Sequence, residues 1–121
     1  MTHLLEENID GVTVLRISGS LTVAGLPEIE ARFNTLLEKK NICVVADLAQ
    51  VDAITTPAIT LMLRTARTIE KNGGKMVFAS ARPNLRKIFA CCRLDRVLTF
   101  ESDFPTALKI AQTPEPAEQF G

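Results

Sequence analysis

The sequence predicts an α/β domain built on one mixed sheet, in the order β-β-α-β-α-β-α-β-α, with its helices on one face. Three observations carry that expectation. An Asp-Gly dipeptide joins two apolar runs near the start, and the apolar period then switches repeatedly between strand-like and helical spacing. The chain has 121 residues, enough for one core and too few for two.

Leu4-Leu5 leads to Ile9, Asp10-Gly11 supplies a turn, and Val12–Ile17 alternates, which reads as a hairpin whose second strand ends at Gly19. Leu26, Ile29, Phe33, Leu36 and Leu37 then recur every three or four residues, predicting an amphipathic helix from Leu26 to Lys40 with Pro27 in its first turn. Ile42–Ala46 is apolar without alternation and reads as a strand covered on both faces. A second helix runs from Pro57 to Asn72, with Ile59, Met62, Leu63, Ala66 and Ile69 inward, and Gly73-Gly74 ends it. Lys75–Ser80 is a strand, and Asn84 to about Cys91 is a helix with Leu85, Ile88 and Phe89 inward. Val97–Phe100 reads as an edge strand, and Asp103 caps a last helix through Ala111. A single domain at 1–111 is expected, with a flexible tail at 112–121 that holds two prolines.

Composition removes several classes of function. Acidic and basic residues balance at 14 each, so no overall field exists to hold nucleic acid or a membrane surface. The balance is local rather than uniform: residues 39–100 carry eleven bases against four acids, whereas both flanks are acidic. No apolar run is longer than Ile42–Ala46, which is far too short to span a bilayer, and residues 1–7 lack the basic start of a secretory signal. Three cysteines, two of them adjacent, make no disulfide framework, and a reduced, cytoplasmic protein is expected.

Catalytic parts are scarce. The only histidine, His3, lies near an end expected to fray, which leaves no Ser–His or Cys–His pair within the fold. No His or Cys pair has metal-ligand spacing, and no glycine-rich loop precedes a helix to cradle a phosphate. Asp47 and Asp52 flank one loop, where capping and solvation account for them better than chelation. We therefore expect no enzyme, no metal and no cofactor. Arg82, Arg86, Lys87, Arg93 and Arg96 read as a solvated face, Cys91 as core and Cys92 as partly exposed, with no evident base for thiolate chemistry.

The informative stretch runs Asp47-Leu48-Ala49-Gln50-Val51-Asp52-Ala53-Ile54-Thr55-Thr56-Pro57-Ala58. A strand ending in Asp-Leu, a short loop and a hydroxyl residue opening the next helix resemble the STAS domain, the fold of bacterial anti-sigma factor antagonists and their relatives. Asp47, Leu48, Val51 and Ile54 match the pattern, and the family's phosphoacceptor falls on Thr56, with Thr55 as the lesser alternative. Gly11–Gly19, Asn72–Lys75 and Leu94–Val97 resemble further family segments, so the similarity spans roughly residues 4–111. Departures are equally specific. Thr55 stands for the family's Asp, Pro57 for a small hydroxyl, Ala58 for Gly, Thr22 for an acid after the second strand, and Arg93 for a Gly.

The resemblance implies a regulatory binding module that grips a kinase-type anti-sigma factor, a serine-threonine protein kinase, with a phosphatase as the opposing partner. Phosphorylation of Thr56 would switch the grip off. The implied contact surface is Thr22, Thr55, Thr56, Pro57, Ala58, Thr60, Leu61 and Arg64. Thr56-Pro57 at the N-cap and first position is in any case a good helix start. A phosphate there would be favoured by the helix dipole and would repel an acidic partner. Leu61 lies off the inner stripe and is expected to be exposed. The alternative implied by the family is a STAS subunit of another assembly, such as a lipid-transport ABC ATPase, docking without phosphorylation. A stand-alone nucleotide binder is a third.

Overall fold

The computed structural model describes residues 2–112; the expected tail lies outside them apart from Gln112, which ends the last helix. The strands are β1 (His3–Ile9), β2 (Val12–Leu21), β3 (Cys43–Ile54), β4 (Lys75–Ala79) and β5 (Thr99–Glu101). The helices are α1 (Leu26–Leu37), α2 (Thr56–Lys71), α3 (Pro83–Cys91) and α4 (Phe104–Gln112), and two 3-10 turns cover Val23–Gly25 and Leu94–Arg96. One sheet holds the strands in the order β1-β2-β3-β4-β5, with β1 antiparallel to β2 and the remaining pairs parallel.

The hairpin forms where the dipeptide demands it. Asp10 and Gly11 both take positive φ, 51° and 84°, the geometry that lets a two-residue turn follow the twist of the strands. Strand β1 is held along its whole length, so His3 faces Ser18 across the ladder rather than fraying. At the end of α2, Gly73 takes a φ of 85°, and the amides of Gly73 and Gly74 donate to the carbonyls of Glu70 and Ile69. Asp103 Oδ1 accepts the Thr106 amide at 2.7 Å and starts α4 as its position predicts. Arg93 occupies a left-handed conformation, φ 58°, at the place where the resemblance expects glycine.

The expectation that all helices share one face is corrected. Leu15, Ile17, Val44, Ala46 and Phe78 pack with residues of α1, α2 and α3, including Phe33, Met62 and Phe89. The other sheet face carries Val12, Val14, Val45, Val77 and Ala79, and α4 covers it with Ala107 and Ala111. The physical reason is the lack of alternation in β3 and β4. Strands apolar on both faces need cover on both, and α4 supplies the second.

Strand β3 is longer than expected. Its first part, Cys43–Asp47, lies between β2 and β4. The ladder with β4 ends at Asp47↔Ala79, yet β3 continues beside β2 as far as Leu21↔Ile54, with two register shifts on the way. The stretch read as a loop is therefore an overhanging two-stranded ribbon. Near the opposite edge, β5 is only Thr99–Glu101, shorter and later than Val97–Phe100; Val97 is exposed, and Leu98 is buried before the strand begins.

Candidate functional site

The overhang carries the N-terminus of α2 to a corner of the molecule. Thr55 follows β3 directly, and both its amide and its hydroxyl donate to the Leu21 carbonyl at the end of β2, at 3.1 and 3.0 Å. This clasp brings the exit from β2, where exposed Thr22 follows Leu21, beside the entry to α2. Thr55, with extended backbone, is the N-cap; Thr56 is the first helical residue and Pro57 the second. The expected placement of Thr56 as cap and Pro57 as first residue shifts by one, because the Leu21 bond holds Thr55 out of the helix.

That shift separates the two threonines. Thr55 is half-buried and its hydroxyl is engaged, whereas Thr56 is exposed at a helix start with no acidic residue in its first turn. The helix amides and the dipole there favour added negative charge. Of the other expected surface residues, Thr22, Pro57, Thr60 and Arg64 are exposed.

Ala58 and Leu61 are not. They are 2% and 6% exposed and belong to the core, which corrects the expectation that both lie on the contact surface and that Leu61 faces solvent. Helix α2 packs against α1 as well as against the sheet, so its buried arc is wider than one stripe. Leu61 lies at the bottom of a cleft of about 360 Å³ that it lines with Leu26, Glu30, Thr56, Pro57, Thr60 and Arg64. Arg64 donates to Glu30 across that cleft at 3.3 Å.

The ribbon's free side is braced from the loop after β4 and the first turn of α3. Arg82 donates to the Ala49 carbonyl at 3.0 Å and to Asp52 Oδ1 at 2.8 Å, and Asn84 donates to the Asp52 carbonyl at 3.0 Å. Asp47, 8% exposed, accepts from Arg16 at 3.0 Å while its other oxygen accepts the Ala49 amide, also at 3.0 Å. Arg16 also donates to Glu7 and stacks over the Phe104 ring. Asp47 and Asp52 are thus each committed to an arginine. Sequence reading paired neither, since the partners lie 31 and 30 residues away. Among the described residues no group of three His, Cys, Asp or Glu is placed to hold a metal ion. Cys91 is exposed beside Cys92, not core, because the helical period turns it away from Leu85 and Phe89, the buried residues of α3; Ile88 is likewise 36% exposed.

Comparisons with known proteins agree on family and fold. A protein of Bordetella bronchiseptica named as the anti-sigma factor antagonist BtrV is 26% identical over 104 residues, 86% of this chain and 84% of its own. The crystal structure of an anti-sigma factor antagonist from Mycobacterium paratuberculosis superposes with a TM-score of 0.85 at 19% identity, covering 93% of this chain and 96% of that one. The phosphorylated form of the Bacillus cell fate determinant SpoIIAA superposes at 0.69 and 16% identity, covering 89% and 99%. With the STAS domain family model matching residues 4–107 of a chain already seen to have this sheet order, the protein belongs to the STAS domain family.

Proposed function

We propose that this STAS protein is an anti-sigma factor antagonist. It binds a kinase-type anti-sigma factor at the corner formed by Thr22, Thr56, Pro57 and Thr60, and so frees the sigma factor. Phosphorylation of Thr56 by that kinase switches binding off, and a phosphatase restores it. The observation that carries the reading is the division of labour at the corner: Thr55 is clasped to Leu21, and Thr56 stands exposed at the start of α2. The antagonist names of the similar proteins support it, among them SpoIIAA, which is solved in both an unphosphorylated and a phosphorylated form. A binding role without catalysis suits a chain whose lone histidine sits on the outer strand β1, and a cytoplasmic site of action follows from such a partner.

Phosphate on Thr56 would add roughly two negative charges at a solvent-facing position, enough to repel an acidic contact and to block a close one. Mixing the protein with the kinase-type anti-sigma factor of its own organism and ATP is the direct test. A stable complex without ATP, and phosphate on Thr56 located by mass spectrometry, are the expected results. Failure to find either one overturns the proposal. The second reading, docking without phosphorylation in an assembly such as a lipid-transport ABC ATPase, draws on Thr55, a structural residue where the resemblance expects an acid. Recovery of such an ATPase instead of a kinase in a pull-down decides for it.

A further inference from the structure

The outer face of α2 continues from the candidate corner. At about 100° per residue, Thr56, Thr60, Arg64, Arg67 and Lys71 fall within roughly 80° of arc, a stripe about 22 Å long. All five are exposed. Thr60, Arg64, Arg67 and Lys71 line one shallow hollow of about 270 Å³, together with Leu63 and Thr68. Among the described residues Arg64 has a single ion pair, to Glu30, with both side chains exposed, and no bond joins Arg67 or Lys71 to an acid. The head of the stripe has no acid in its first turn. Glu70 borders the stripe but does not lie within it.

We infer that this cationic stripe receives an acidic surface of the partner, and that phosphate on Thr56 works by placing like charge at the stripe's head. The inference rests on the antagonist reading and adds to it the chemistry of the partner. Charge complementarity carries the argument: three cations at spacings of three and four, two of them without an acidic partner among the described residues, would oppose carboxylates on a partner surface. A nucleic acid backbone is a poorer fit, since it engages many cations at once and the face presents three within a neutral chain. The stripe explains why a helix-start phosphate, itself favoured by the dipole, would still expel the partner. The repulsion falls between molecules, and the dipole acts within one.

The test measures affinity for the kinase-type anti-sigma factor across a salt series. Wild type, the triple variant Arg64→Glu/Arg67→Glu/Lys71→Glu and a charge-matched control on α3 and the 3-10 turn that follows it, Arg86→Glu/Lys87→Glu/Arg96→Glu, are compared, with circular dichroism melts alongside. The single change Arg67→Gln covers the case in which the triple variant does not fold. Wild-type binding that weakens with salt, a loss of about tenfold or more in the triple variant, a smaller loss in Arg67→Gln and none in the control support the inference. Equal binding by wild type and triple variant, or equal loss in variant and control, overturns it and leaves the antagonist reading standing. Absence of wild-type binding overturns the antagonist reading itself. Stripe-dependent binding to double-stranded DNA or to phosphatidylglycerol vesicles, with the anti-sigma factor unaffected by the substitutions, also overturns the inference.

Discussion

From Cys43 to Asp47, β3 lies between two parallel neighbours and is buried throughout after its first residue; from Leu48 to Ile54 it has β2 alone, and only Leu48 and Val51 are buried. The first half is held by the hydrophobic effect acting on both faces. The second is held by ladder bonds on one side, by Arg82 and Asn84 on the other, and by the clasp of Thr55 on Leu21. The contrast teaches how this fold exposes a surface without weakening its core. A strand anchored at one end by packing can overhang the sheet if polar side chains replace the missing neighbour, and the helix that follows is then presented at a corner.

The largest test of that contrast is Val45→Asp. Val45 is wholly buried between β2 and β4, so an unpaired carboxylate there should cost more than about 4 kcal/mol and abolish the cooperative melt seen by circular dichroism. A folded Val45→Asp variant would mean that the anchored half is not the anchor. Thr56→Glu acts beyond the far end of that strand, at the first residue of α2, and should leave the melt unchanged. Its effect should appear in calorimetric binding to the anti-sigma factor, as a loss of about tenfold, or roughly 1.4 kcal/mol.

Arg82→Ala should cost about 1 kcal/mol, since its contacts bridge two exposed side chains and one carbonyl. Its signature is local: hydrogen exchange should quicken along Gln50–Ile54 and stay slow along Val44–Asp47. Thr55→Val should lose about 0.5–1 kcal/mol with the Leu21 bond and still accept phosphate at Thr56, separating the structural threonine from the switch.

The smallest effect lies away from both halves. The Thr106 side chain and then its amide hold the Asp103 carboxyl below its ordinary value of 3.8, so its contribution is present above that pH and is lost as pH falls through the lowered value. Acidification below 3.8 should therefore speed exchange of the Thr106 amide and leave the corner's exchange pattern untouched.

Much of the chain could be read without its partners. Asp10-Gly11, Pro27, Gly73 and Asp103 act through conformations or bonds within a few residues, and the stripe of α1 follows its own period, so local physics determines them. The order of elements belongs to the same class, since it follows from changes of apolar period along the chain. What tertiary structure decided is the environment of residues whose neighbours are remote in sequence. Leu61 is buried because α1 lies beside α2, and Ala58 because that helix packs so closely. Residues 48–54 form a strand because β2 extends that far, and Asp52 pairs with Arg82 because the loop after β4 passes it. Helix α4 sits on the second face because two strands were apolar on both sides and only one face was already covered. A single sequence specifies which residues seek burial or a partner; the packing of distant segments decides which of them find it.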